Sequence, residues 1–444
     1  MSGGTAAPAV DPGALIRSKE YRRLLVIACL VGLVVSFASW CFLEAVYWIQ
    51  QGVYVDLPSW LGFADVPWWW PIPVLTVAGL LTVVAVLRLP GTGGHIPYKG
   101  ISAGQTRPVD LPGILLAGLA SLGLGLVLGP EAPLIALGTG LAIFAVKRAR
   151  KDAPDQVVSV IAAAAAFAAI ATIFGSPVVG AVILIEAAGL GGPMLPLVLL
   201  PGLMAAGIGS LVFIGMDGWA GLSNSDYALS PFTLPAYTSP TLADFVWAAA
   251  LALLAALVTI GIVKLSAASA GVVGKKPWVL IPGVAIVVAL LAIGFAEITN
   301  QSADVVLFSG ENAFDAMFAQ ATTLSLGTLA LLLVCKAVAW GLSMGSFRGG
   351  PTFPALFVGA VGGLLAAHLP GFSETPAVAA LMAATAVSIL RLPLSCVVIA
   401  MLLTSQAGPA TAPIIIVAVV VAYIAVETVA PKPKTAAPNA GTAV

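Results

Sequence analysis

Charged side chains are scarce in this chain, and their scarcity limits what the protein can be. The 444 residues include 19 Lys+Arg and 19 Asp+Glu, so 9% of residues are charged and the formal net charge is zero. Soluble domains carry charge on roughly 25% of their residues. With 60% hydrophobic residues and a mean hydropathy of +1.07, the chain has too few polar groups to cover a water-exposed surface. We therefore predict that lipid surrounds most of it.

Basic surplus, cysteine pairs and histidine clusters are also missing. Without net positive charge, the sequence lacks the basic face that nucleic-acid binding needs, so we expect no nucleic-acid partner. The four cysteines lie inside apolar runs without a CxxC pair, and the only histidines are His95 and His368. This pattern argues against a disulfide framework, a metal site or another cofactor. No paired carboxylates or Ser–His arrangement stand at membrane depth, so we do not expect an enzyme.

Long apolar runs dominate what is present. The first begins near Leu24 and is long enough to span a membrane, so we expect no cleavable signal peptide. Several later runs, such as 178–188, 378–389 and 394–403, fall short of the roughly 20 residues that a spanning helix needs. Short segments broken by Gly and Pro are tolerated at membrane depth only where they are buried in protein or line a cavity. The sequence therefore predicts an all-α, polytopic membrane protein with tilted and broken helices.

The charges that do occur divide the loops into two sets. Basic residues occupy both termini and the loops 88–110, 147–151 and 264–276, whereas the loops 49–67, 214–244 and 297–323 carry acidic residues only. The positive-inside rule places the basic set in the cytoplasm. We thus predict a multi-pass protein of the cell membrane with both termini cytoplasmic.

Composition also divides the chain into parts. We predict a cytoplasmic N-terminal tail at 1–23 and a transmembrane domain at 24–430. A Gly-, Pro- and Ala-rich C-terminal tail at 431–444 reads as disordered. Within the transmembrane domain, the sequence suggests two repeats, at about 24–215 and 240–430.

The repeat rests on matching Pro patterns. The segments 133–138 and 354–359 share a P-x4-G pattern, and each is followed by an apolar run that opens on a proline, at Pro177 and Pro393. The members of each pair are separated by about half the chain. Such echoes also arise by chance in so biased a composition, but transporter folds are commonly duplicated, which favours a repeat.

Four Gly/Pro-rich breaks interrupt the apolar sequence, at 91–97, 129–133, 175–177 and 345–354. A helix that begins inside the membrane leaves backbone N–H groups unpaired and contributes the positive end of its dipole. Several such helix starts at one point would form an anion site without a full positive charge. For any single break, an ordinary loop between helices is the better interpretation. Four breaks, two of them in matching repeat positions, favour the anion site.

Glu131 is the leading candidate among the ionisable residues. It lies at membrane depth, without a basic residue between 110 and 147, and such residues usually face a cavity. Its carboxylate would compete with a permeating anion, and protonation or outward rotation would clear the path. The alternative is a helix-capping residue at the membrane surface.

Three other charged residues are weaker candidates. Glu186 is interpreted equally well as a proton relay or as a packing residue. Arg348 and Arg391 lie beside breaks, where phosphate or lipid contact and packing both remain open.

At these motifs the sequence resembles the CLC family of chloride channels and chloride/proton antiporters, from about 24 to 429. The resemblance lies in the order and spacing of five altered motifs, none of them intact. They are 93–97 (similar to G-S-G-I-P), 129–133 (G-[KR]-E-G-P), 175–186 (N-A-P-L-A-G-x-x-F-x-x-E), 349–354 (G-x-F-x-P) and 390–399 (the segment before the last helices).

The resemblance implies an inverted repeat with one pore per subunit and a homodimer in the lipid bilayer, with chloride and protons as its ions. It implies that Glu131 is the external gate and proton acceptor, with Glu186 as a possible proton relay. The anion-binding positions that it implies are Thr92, Gly93, Gly94, His95, Ile96, Pro97, Ala132, Gly350, Thr352 and Phe353.

Several positions depart from the family pattern. The family's central serine falls on Gly94, with Thr92 as a possible substitute hydroxyl. The internal proton-transfer glutamate of the antiporters falls on Ala187, and the pore tyrosine falls near Lys434 in a tail without aromatics. Prolines 130 and 351 remove two backbone N–H groups, which leaves those of residues 131, 132, 352 and 353 as donors.

These departures shape the expected function. We predict a chloride channel or transporter of the CLC type, and the missing glutamate at 187 favours a channel or an uncoupled carrier over tightly coupled exchange. A fluoride exporter of the same fold is one alternative. The other is a membrane scaffold that has kept the fold and lost transport.

Overall fold

The computed structural model of the protein describes residues 12–100, 104–189, 195–216, 229–320 and 323–430. Residues 1–11 of the predicted N-terminal tail and the whole predicted C-terminal tail, 431–444, lie outside the described residues. The described part is built from helices, and its only β-type contact is an isolated bridge. The α-helices are α1 (Pro12–Arg17), α2 (Lys19–Gln51), α3 (Leu57–Trp60), α4 (Pro71–Arg88), α5 (Leu111–Gly123), α6 (Glu131–Ala149), α7 (Asp155–Ile173), α8 (Pro177–Ala187), α9 (Leu195–Met216), α10 (Leu242–Val273), α11 (Pro277–Thr299), α12 (Phe314–Ala319), α13 (Leu326–Ser346), α14 (Thr352–Ala366), α15 (Glu374–Leu390), α16 (Pro393–Leu403) and α17 (Thr411–Val429).

Helix starts coincide with residues that satisfy free backbone N–H groups. Ser18 precedes α2, and its hydroxyl accepts a hydrogen bond from the backbone N–H of Tyr21 at 3.0 Å. Thr241 and Asp244 form a reciprocal capping box at the start of α10. Capping of this kind satisfies donors that would otherwise be unpaired in lipid.

The helices differ in how much lipid they can contact. Among the described residues, nine helices are long and apolar enough to cross a membrane. On α2, Val26, Leu30 and Val34 recur at four-residue spacing and are about 60% exposed, as expected of a lipid-facing stripe. In α15, by contrast, every residue of 375–390 is buried. Short helices are thus enclosed by longer ones, and the chain is a multi-pass membrane protein.

The two halves of the chain repeat the same helix packing. In the first half α7 packs against α2, α6 and α9, and in the second half α15 packs against α10, α14 and α17. Likewise α4 packs on α5 as α11 packs on α13. The halves meet where α4 contacts α11 and α8 contacts α16. The predicted duplication is therefore present in the three-dimensional arrangement of the helices.

The repeat is clearest at the predicted breaks. Helices begin at Glu131, Pro177 and Thr352, each at or just behind a predicted break, and at Pro393, where the sequence predicted a proline that opens an apolar run. The loops before α6 and α14 form an antiparallel bridge between Gly129 and Gly350. Antiparallel contact between equivalent segments is expected when two halves are related by a two-fold axis, as in the predicted inverted repeat.

Candidate anion-binding site

The carboxylate of Glu131 contacts the start of another helix. Glu131 is the first residue of α6 and is 1% exposed. Its Oε1 accepts hydrogen bonds from the backbone N–H groups of Thr352, at 2.8 Å, and Phe353, at 3.3 Å. These N–H groups belong to the first turn of α14, where the helix dipole also favours a negative charge. A side-chain anion thus occupies two of the predicted donors.

Two polar atoms at this position are poorly satisfied. Oε2 of Glu131 and Oγ1 of Thr352 are buried, and neither makes a hydrogen bond of good geometry within the described residues. Buried polar atoms in proteins are nearly always hydrogen-bonded. Their unused capacity suits a site that exchanges one occupant for another, whether a proton or an anion.

The two glycines of the Gly129–Gly350 bridge pack against the same carboxylate. Gly129 N–H donates to the Gly350 carbonyl at 2.8 Å, and Gly350 N–H donates to the Gly129 carbonyl at 2.5 Å. The N–H of Gly350, which the sequence assigned to anion binding, is therefore taken by the bridge. A Cβ at Gly350 would clash with Oε2 of Glu131, so any residue other than glycine requires the carboxylate to move.

We expect Gly350→Ala to displace the Glu131 side chain and to destabilise the protein by about 1–3 kcal/mol, a typical cost of overpacking. In a Glu131→Ala background the clash partner is gone, and the same substitution should cost much less. Thermal unfolding of the four proteins of this cycle in detergent measures the difference. Gly362→Ala is a matched control, because its Cβ would meet only Leu381, at 3.8 Å. An equal cost in both backgrounds would contradict the placement.

A cavity of about 180 Å³ lies beside this site and contains several predicted residues. Its wall includes Gly93, Gly94 and His95 from the first break and Ala132 from α6, next to Glu131. It also includes Gly349, which precedes the bridge. The first, second and fourth breaks predicted from the sequence therefore meet at one place.

Other predicted residues of the first break lie apart from this cavity. Thr92 is exposed and lies outside the described wall, and its hydroxyl donates to the Gly91 carbonyl at 2.8 Å, so its role as a substitute hydroxyl stays a prediction. Ile96 and Pro97 stand at the start of a 3-10 turn outside the wall. His95 is held by a 2.8 Å contact between Nε2 and the Gly100 carbonyl. Burial lowers the pKa of His95, which keeps the ring neutral at pH 7.

Glu186 connects the third break to its counterpart in the second half. Its carboxylate accepts hydrogen bonds from the backbone N–H of Leu394 at 2.9 Å and of Ser395 at 2.8 Å, and from the Ser395 hydroxyl at 2.6 Å. It thereby satisfies free donors in the first turn of α16. This contact is a capping role, and a proton-relay role for Glu186 stays a prediction.

Lys336 was missed in the sequence, although a single lysine within an apolar run is a visible signal. It is fully buried on α13. Its Nζ donates to the carbonyls of Val305 (3.0 Å), Leu307 (2.6 Å) and Phe308 (3.1 Å), and lies 4.7 Å from the ring centroid of Phe357. These contacts fasten the 303–308 segment to the membrane helices.

That segment in turn supports the loop before Glu131. The backbone N–H of Phe308 donates to the Gly125 carbonyl at 3.0 Å. The hydroxyl of Tyr54 donates to the neighbouring Leu124 carbonyl at 2.9 Å. Two elements distant in sequence therefore fix the backbone that leads to Glu131.

Glu311 is a second carboxyl group near Glu131. It follows Gly310, which adopts a φ of +98° and packs so closely on Phe357 of α14 that a Cβ would lie 2.5 Å from the ring. Burial raises the pKa of Glu311 to about 8, and the carboxylate of Glu131 contributes to the increase, while a hydrogen bond from Ser309 opposes it. The sequence showed only that this loop is acidic.

Metal binding has no comparable support. In the residues that have coordinates, no three His, Cys, Asp or Glu side chains lie close enough together to hold a metal ion.

The chain is similar in sequence to known ion-transport proteins. A family model described as voltage gated chloride channel matches residues 78–427. The protein named "Putative ion-transport protein YfeO" from Salmonella newport is 28% identical over 372 residues, covering 79% of this chain and 81% of that protein. Its namesake from Salmonella paratyphi A is 29% identical over 370 residues, covering 77% and 81%.

Two solved structures share the fold. A slow cyanobacterial Cl-/H+ antiporter superposes with a TM-score of 0.75 at 18% identity, over 93% of this chain and 96% of that one. A CLC-type fluoride/proton antiporter superposes with a TM-score of 0.61 at 17% identity, over 91% and 95%. Helix arrangement is therefore shared despite low sequence identity.

Proposed function

Because the chain belongs to the voltage-gated chloride channel family, we propose that it carries chloride across the cell membrane along a path gated by Glu131. One observation supports this proposal above the others. The Glu131 carboxylate accepts from the backbone N–H groups of Thr352 and Phe353, which are the donors that a permeating anion would need. The anion and the carboxylate are then competitors for one site.

Protons enter the mechanism through the same competition. A protonated Glu131 has no negative charge to be stabilised at the start of α14, so it gives way to an anion. Deprotonation returns the carboxylate to the N–H groups and closes the path. We propose a transporter or channel rather than an enzyme, since these steps require binding and movement only.

Flux measurements in liposomes test the proposal. The reconstituted protein should release chloride down its gradient, and a chloride gradient should move protons uphill if exchange is coupled. Faster release of fluoride than of chloride would replace chloride by fluoride as the substrate. No flux of either anion would favour a scaffold and contradict the proposal.

Orientation and assembly complete the proposal. The basic loops support a cytoplasmic position for both termini. Exposed apolar side chains on α17, Ile416, Val420 and Ile424, recur at four-residue spacing, and Leu394 is exposed on the adjacent α16. This surface suits a second copy of the chain as well as lipid, and we propose a homodimer. Subunit counting by single-molecule photobleaching in liposomes should give two, and a single subunit would contradict it.

Glu311 should add a pH dependence at the external side. Below pH 8 its carboxyl group is mainly neutral, and above pH 8 it gains a charge that repels both Glu131 and an incoming anion. We expect chloride flux to fall by about threefold to tenfold as external pH rises from 7 to 9. Glu311→Gln should remove this fall. Glu297→Gln, an exposed control at the end of α11, should retain it. An identical pH profile for Glu311→Gln and the parent would contradict the prediction.

A further inference from the structure

Arg348 stands between α13 and α14 and is 8% exposed. Its side chain forms part of the wall of the cavity beside Glu131. Gly93, in the same wall, packs against this side chain, because a Cβ at Gly93 would lie 3.3 Å from Cγ of Arg348. The first break of the sequence therefore leaves room for this side chain.

The contacts of Arg348 are with neutral groups. Nε donates to the Thr92 carbonyl at 3.2 Å, and Nη1 donates to the Phe347 carbonyl at 3.1 Å. Within the described residues, Nη2 makes no hydrogen bond. This atom is not fully buried, so a ligand in the cavity can reach it. A guanidinium group carries five N–H donors, so donors remain for another acceptor.

Carboxylates do not neutralise this charge in the described part of the cavity. Asp110 belongs to the same wall, but its two carboxylate oxygens accept from Nε and Nη2 of Arg107, each at 2.9 Å. The undescribed residues 101–103 are Ile, Ser and Ala, which carry no charge. His95 is neutral at pH 7. A cation thus faces the cavity without an acidic partner.

A buried charge without a partner is costly, so a polar cavity beside it favours a bound counter-ion. The sequence led us to expect an anion site that depends on backbone dipoles alone, and Arg348 adds a full positive charge to it. A guanidinium group also differs from a point charge, because its planar fork matches two oxygens of one ligand.

We propose that Arg348 forms an inner anion-binding subsite in this cavity, which takes small monovalent anions and prefers planar oxyanions to halides. The inference rests on the proposed function, since it places this subsite on the same anion path, next to Glu131. Retention of the anion by Arg348 would raise affinity and slow release.

Calorimetric titration of the purified protein with sodium formate and sodium chloride tests the proposal, with sodium gluconate maintaining ionic strength. We expect tighter binding of formate than of chloride. Arg348→Gln should weaken the binding of both anions about tenfold or more. Arg88→Gln removes the same charge at an exposed position at the end of α4 and should leave both affinities unchanged. Equal affinities in Arg348→Gln and the parent would overturn the proposal.

Arg348→Lys provides a second test that keeps the charge and removes the fork. We expect it to retain chloride binding and to lose the preference for formate. An unchanged formate-to-chloride ratio would overturn the proposed fork, even if Arg348→Gln did not fold.

Transport measurements distinguish a failure of this inference from a failure of the proposed function. In liposomes, Arg348→Gln should raise the half-saturating chloride concentration about tenfold without lowering the maximal flux. A parent that binds anions through Arg348 but carries none would contradict the proposed function and leave the subsite in place. A parent that carries chloride with a half-saturating concentration independent of Arg348 would do the reverse.

Discussion

Replacing Glu131 by Gln should abolish the rise of chloride flux on acidification and any uphill proton movement. The amide cannot ionise, so it neither carries a proton nor holds a negative charge against the N–H groups of Thr352 and Phe353. Glu131→Ala removes the competing side chain altogether and should leave those donors available to the anion. We expect chloride flux at neutral pH to rise about tenfold in the Ala variant. This factor corresponds to the loss of a competing interaction of about 1.4 kcal/mol.

Liposome flux of chloride and protons between pH 4 and pH 9 measures both effects. Glu374→Gln is the matched control, because Glu374 is also the first residue of a helix, α15, but is partly exposed. It should behave as the parent does. Parental flux, pH profile and proton movement in both Glu131 variants would remove Glu131 as the gate.

Replacing Lys336 by Met should destabilise the protein by about 1–3 kcal/mol, the range observed when buried hydrogen-bond acceptors are left without a donor. The methionine fills similar space, but the carbonyls of Val305, Leu307 and Phe308 lose their common donor inside the protein. Unsatisfied buried acceptors carry their full desolvation cost. Thermal unfolding in detergent measures the loss.

Hydrogen exchange tests where the destabilisation acts. Amides of the 303–308 segment should exchange faster in Lys336→Met, whereas those of α15 should change little. Lys264→Met is the control, because Lys264 is an exposed lysine on the spanning helix α10. Parental stability and exchange in Lys336→Met would show that the lysine does not anchor this segment.

Local chemistry explains which features could be predicted from the sequence. The starts of α6, α8 and α14 coincide with three of the predicted breaks, because a proline or a glycine-rich turn interrupts a helix through its own backbone geometry. The shortness of the enclosed helices follows from the same pattern, since only burial in protein permits such segments at membrane depth.

Long-range contacts explain what could not be predicted. The sequence marked Gly350 as an anion ligand, but its N–H is bound by Gly129 from the other half. Glu311 and Lys336 acquire their roles from neighbours that are distant in sequence. Arg348 was visible beside a break, yet its direction into the cavity depends on the packing of Gly93 and α6.

The enclosure of α15 also has a consequence for biogenesis. A nascent chain enters the bilayer one segment at a time, and α15, with 17 residues, is at the short end of the range for a helix that spans the bilayer alone. Its partners α10 and α14 precede it in the chain, whereas α17 follows it, so α15 is fully enclosed only after α17 has been made. Insertion and tertiary assembly of α15 are therefore coupled.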